Sequence, residues 1–119
     1  MTTAFLGLKD GKTAGFSISG HSGFAPSGKD IVCAAVSSAA YFAANLLSEI
    51  DTKIKICLGE DRFLVFLSLP GEETERVMRV LRLQLLDISK QYPENLRLCC
   101  LNFKGGTHND SCKYSALRS

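Results

Sequence analysis

Cys33 and His21 are residue types that pair as nucleophile and base. Between them runs G-H-S-G-F-A-P-S-G-K-D-I-V-C, residues 20–33, a loop rich in Gly with one Pro that leads into a helix. The spacing predicts that this helix begins at Lys29 or Asp30, so Cys33 falls in its first turn. Backbone N–H groups there lack intrahelical partners and the macrodipole is positive. Both effects favour thiolate over thiol, which makes Cys33 a candidate nucleophile. A loop of this composition can fold back and bring His21 to the sulfur, and His is the usual proton acceptor near neutral pH. The bland alternative is that Cys33 is a small buried hydrophobe in an Ala/Val-rich helix and His21 a solvated loop residue.

Asp30 has two compatible readings. It caps the helix by accepting an N–H bond, or it orients His21 as the third member of a triad does. Ser37 lies one turn after Cys33 on the same helix face, where it serves the site or bonds a backbone carbonyl.

Two other motifs invite chemistry and fit poorly. Gly23 to Lys29 matches G-x-x-x-x-G-K, but the Ser or Thr of a phosphate loop is replaced by Asp30, a negative charge where phosphate would lie. Cys99, Cys100, His108 and Cys112 cluster towards the C-terminus. Adjacent strand residues point to opposite faces, so Cys99 and Cys100 cannot easily share an ion. We expect no metal and no cofactor, and read Cys57 as a strand thiol without chemistry.

The elements that must position Cys33 and His21 follow from periodicity. Residues 2–8 and 13–19 read as strands joined at Asp10-Gly11, a tight-hairpin dipeptide. The first helix runs to about Ser48, with Val32, Ala35, Val36, Ala39, Ala43, Leu46, Leu47 and Ile50 as its buried stripe. Residues 52–58 alternate, with Ile54, Ile56 and Leu58 on one face. Gly59-Glu60-Asp61 turns the chain into a more buried strand, 62–69. A second helix starts after Pro70-Gly71 with Glu72 and Glu73 and runs to about Gln91, carrying Val77, Val80, Leu81, Leu83, Leu85 and Ile88. Residues 95–103 form the last strand. The order ββαββαβ predicts an α+β, two-layer domain: a largely antiparallel or mixed sheet covered by two helices. We take residues 1–104 as one domain and 105–119 as a polar, mobile tail.

The chain has 119 residues, 45% of them hydrophobic, and a net charge of +2 with both signs interspersed. That balance gives no electrostatic case for nucleic acid or membrane as the main partner. No targeting segment and no apolar run of spanning length is read, so a cytoplasmic protein is expected. Five irregularly spaced cysteines then read as thiols.

The segment Gly20-His21 through Asp30-Ile31-Val32-Cys33-Ala34-Ala35-Val36-Ser37 resembles the signature of the bacterial ribosomal-processing cysteine protease family, Prp. Ile88-Ser89-Lys90-Gln91-Tyr92-Pro93 resembles the end of that family's second helix. The resemblance covers about residues 4–103 and leaves 104–119 without a pattern. It implies a cysteine endopeptidase that removes the N-terminal extension of large-subunit ribosomal protein twenty-seven, cutting after an aromatic pair, so an apolar pocket is expected. By the same resemblance Cys33 is the nucleophile, His21 the catalytic histidine, and Asp30 and Ser37 support them. Gly20, Ser22, Gly23, Phe24 and Gly28 belong to a flexible loop that orders around substrate, and the protein is a homodimer. A non-enzymatic ribosome-assembly module with Cys33 buried is the alternative.

Overall fold

The structure is a computed structural model that describes residues 1–21, 23–26 and 30–103. Apolar residues at alternate positions build a five-stranded sheet from β1 (Thr2–Lys9), β2 (Lys12–Ser19), β3 (Lys55–Leu58), β4 (Arg62–Phe66) and β5 (Leu96–Phe103). Its strand order is β3-β4-β2-β1-β5. Only β1 and β5 run parallel; the other neighbours are antiparallel, so the sheet is mixed, within the expected class. Helices α1 (Ile31–Ile50) and α2 (Glu72–Gln91) complete the order ββαββαβ.

Both helices pack on one face of the sheet. Ala4 and Leu6, Phe16 and Ile18, and Phe63 and Val65 face them from three successive strands. From α1 come Val32, Val36, Ala40, Ala43, Ala44 and Leu47; from α2 come Met78, Leu81, Leu85 and Ile88. The Ala residues let α1 sit close. Burying one large side chain contributes about 1.5–3 kcal/mol, so this shared layer holds the fold.

The Asp10-Gly11 turn forms as expected. Both residues have positive φ, 53° and 79°, which the right-handed twist of a two-residue hairpin demands. One expectation about α1 is corrected. The helix is long and apolar enough to cross a membrane by length and composition, with a mean hydropathy of 1.6. Its buried residues pack on the sheet, as the core helix of a globular domain does.

The expected helix faces were too broad. Leu46, Val80 and Leu83 are exposed, whereas Ala40, Ala44 and Met78 are buried. A stripe read from the largest residues misses small ones at the line of closest approach. The third strand is also shorter than expected, because Asp51, Thr52 and Lys53 end α1 instead of extending the strand.

Asp51 explains that ending. It is buried, and its carboxylate accepts from Ser68 Oγ at 2.6 Å, Ser68 N at 2.7 Å, Lys53 N at 3.0 Å and Leu69 N at 3.1 Å. The Ser68 hydroxyl is the main cause that holds its pKa below the ordinary value, helped by the backbone N–H groups and opposed by burial. A lowered folded-state value means that the ionised form is the stabilising one. The contribution is complete above the unfolded-chain value of about 3.9 and is lost as pH falls through the lower folded value. Asp51→Asn is therefore expected to lower the urea midpoint at neutral pH and to flatten its acid fall. Midpoints that decline in parallel for both proteins on acidification would show that Asp51 is not part of that fall.

Candidate active site

Cys33 enters the site through its helix. Asp30 is the N-cap of α1, and its Oδ1 accepts from Cys33 N at 2.9 Å while its carbonyl accepts from Ala34 N at 3.1 Å. The capping reading of Asp30 therefore holds. One expectation needs correction: the backbone N–H of Cys33 is not a free donor, because the cap has taken it. The helix start beside the sulfur thus carries the Asp30 carboxylate, with no acidic residue within the first turn itself. The Cys33 side chain is half-buried.

His21 follows β2 through a glycine that the geometry requires. Gly20 has φ +85°, and a Cβ there would stand 2.7 Å from the Met1 carbonyl oxygen. Any other residue would be strained in its backbone and in collision with the start of β1. Gly20 N donates to the Asp61 carbonyl at 3.0 Å, and His21 Nε2 lies 2.8 Å from Asp61 Oδ1. The carboxylate found on the imidazole thus comes from the β3–β4 turn.

Cys33, His21 and Ser37 line one cavity of about 370 Å³. Its remaining wall includes Val36, Ala40, Tyr41, Leu58 and Phe63, which form an apolar part, and the charged Glu60, Asp61 and Arg62. Tyr41 and Phe63 stack at a tilt with centroids 4.8 Å apart, which stiffens the apolar part. A thiol at a helix N-terminus, an imidazole and an apolar recess in one cleft can bind an apolar side chain and present its neighbouring carbonyl to sulfur.

Of the loop residues singled out in the sequence, Gly20 and Gly23 both take positive φ. Phe24 packs edge-on against Tyr92 at the end of α2, with centroids 5.3 Å apart. Ser22 and Gly28 lie outside the described residues, as do His108 and Cys112. Cys99 and Cys100 pair with Phe5 and Leu6 of β1, so they face opposite sides of the sheet.

A family model described as cysteine protease Prp matches residues 1–97. The chain belongs to that family. It is a cysteine protease, which decides against the non-enzymatic alternative. The fold is similar to solved structures. One is the ribosomal processing protease Prp from S. aureus with a covalently linked product peptide: TM-score 0.77, 24% identity, covering 84% of this chain and 99% of that one. The same S. aureus protease with a substrate peptide gives TM-score 0.70, 22% identity, and 84% and 99% coverage. SMU.848 from Streptococcus mutans gives TM-score 0.70, 19% identity, and 87% and 96% coverage. No curated protein matches the chain.

Gly20→Ala is expected to cost about 1–2 kcal/mol of stability, the penalty for left-handed backbone at a residue with a Cβ. It should also lower peptide turnover of the remaining folded protein, because relief of the Met1 clash moves His21. Urea unfolding and peptidase assay on the same sample separate the two effects. Full activity with unchanged stability would show that the backbone tolerates a side chain there.

Proposed function

We propose that this protease removes the N-terminal extension of large-subunit ribosomal protein twenty-seven by cutting after an aromatic pair. Cys33 is the nucleophile and His21 its base. The observation that carries this reading is that His21 and Cys33, twelve positions apart in sequence, line one cavity beside an apolar wall. The signature segment and the relatives described as ribosomal processing proteases support it.

In the proposed reaction His21 accepts the Cys33 proton and the thiolate adds to the carbonyl carbon of the aromatic residue. The tetrahedral adduct collapses as the imidazolium gives its proton to the leaving amine, which departs with the mature chain. Water, deprotonated by the same imidazole, then adds to the thioester. Loss of the thiolate frees the extension as a carboxylic acid and restores the enzyme. Tyr41, Leu58 and Phe63 receive the aromatic side chain, and Ser37, on the helix face of Cys33, supports the pair.

The test is incubation with a peptide that spans an extension-type junction ending in two Phe residues, followed by mass spectrometry. Cleavage after the second Phe, lost when both are replaced by Ala, is expected. Cleavage elsewhere, or indifference to the replacement, would remove the aromatic-pair substrate while leaving the peptidase class intact. A cytoplasmic homodimer belongs to the same reading. Phe42, Leu46 and Val80, exposed around an apolar groove of about 740 Å³ between α1 and α2, are what a second copy would cover. Sedimentation of the wild-type protein against Phe42→Glu reads that point.

A further inference from the structure

The geometry points to Asp61 as the residue that positions His21 and selects which imidazole nitrogen acts as the base. This rests on the proposed Cys33–His21 pair and adds a residue that the signature segment does not contain.

Asp61 sits in the turn between β3 and β4, which Gly59 N closes by donating to the Arg62 carbonyl at 2.8 Å. It holds the His21 segment at two points. Its carbonyl accepts from Gly20 N at 3.0 Å, and its Oδ1 meets His21 Nε2 at 2.8 Å. The first bond fixes the backbone from which the imidazole hangs, and the second fixes the ring. An exposed ion pair between two free side chains contributes little, because both must be immobilised to form it. His21 and Asp61 are 77% and 53% exposed, so the energy of the pair is small. Its effect is orientation: the backbone bond has already brought the partners together, and only side-chain torsions remain to be set.

The chemistry of the contact then fixes a tautomer. An ionised carboxylate only accepts, so the nitrogen facing it carries the proton. Nε2–H donates to Asp61, and in the neutral ring the lone pair lies on Nδ1. Nδ1 is therefore the atom that takes the Cys33 proton. When it does, the imidazolium keeps its Nε2–H bond to a carboxylate that stabilises the new charge. Asp30 engages its Oδ1 at the Cys33 amide, where it caps the helix.

The test compares Asp61→Ala and Asp61→Asn in the wild-type and His21→Ala backgrounds, with the two-Phe junction peptide as substrate. It adds ¹⁵N spectra of the histidine rings, assigned with His108→Gln because the chain has 2 His. Asp61→Ala should lower kcat by about 10²-fold, the size of loss that follows from misplacing a catalytic group, with KM little changed. Asp61→Asn, whose amide oxygen still accepts from Nε2–H, should recover part of that loss. Asp61→Ala should cost nothing further once His21 is Ala, and its His21 spectrum should move from the Nε2–H form to a mixture. An equal loss in both backgrounds, a change in KM alone, or an unmixed Nε2–H spectrum in Asp61→Ala would overturn the assignment. Cleavage by Cys33→Ala would instead show that the nucleophile is wrong. The ring spectra would then still decide whether Asp61 sets the tautomer.

Discussion

Cys33→Ala should remove cleavage of the junction peptide, by about six orders of magnitude in kcat, the loss that follows removal of the nucleophile from a catalytic triad. The protein should stay folded. Ala is a better helix former than Cys, and the cap from Asp30 bonds the backbone N of residue 33, which the substitution keeps. The half-buried sulfur leaves only a small void. Cys33→Ser is the sharper control: it keeps size and polarity and removes only the acidity and softness of sulfur, and it too should be inactive. Cys57, Cys99 and Cys100 lie away from the cavity, so their Ala variants should cleave normally. Near-normal turnover by Cys33→Ala, with folding checked by circular dichroism, would sink the assignment of the nucleophile.

The readable part of this site was the part written locally. A Gly-rich loop, an N-cap and a Cys in the first turn are consecutive in sequence, so Asp30 and Cys33 could be related by helix geometry before any tertiary contact was seen. Asp61 could not. The sequence offered Gly59-Glu60-Asp61 as a turn, and the strands on either side of it as strands. The contact with His21 depends on β4 pairing with β2, with Ser19 opposite Arg62, a register that neither segment states alone. A turn residue just before the start of β4, which pairs with the strand that leads to His21, is a usable signal only once that pairing is known. The fold was legible for the same reason in reverse. Asp10-Gly11 dictates the hairpin, and alternation dictates the sheet. The shortened β3 was not legible, because Lys53-Ile54-Lys55-Ile56 alternates whether or not it is a strand. There the buried Asp51, bonded to Ser68 and Leu69, overrode the pattern.

His21→Ala should cost about 10²–10⁴ in kcat/KM, the usual contribution of a positioned general base. The loss should be smaller than that of Cys33→Ala, since the nucleophilic sulfur itself is still present. Fold stability should hardly change, because His21 is exposed and its bond to Asp61 lies in solvent. Alkylation of Cys33 by iodoacetamide gives a second measurement that needs no substrate. If the imidazole takes the thiol proton, His21→Ala should slow the reaction at neutral pH, while Cys57 in the same protein reacts as before. Asp30→Asn should hurt less, because an Asn oxygen still caps Cys33 N. The competing outcome is specific. Glu60 lines the same cavity, as Asp61 does, and is a second group able to accept a proton. If His21→Ala keeps most of its rate and Glu60→Gln does not, the base is Glu60. If both keep it, neither His21 nor Glu60 is the base.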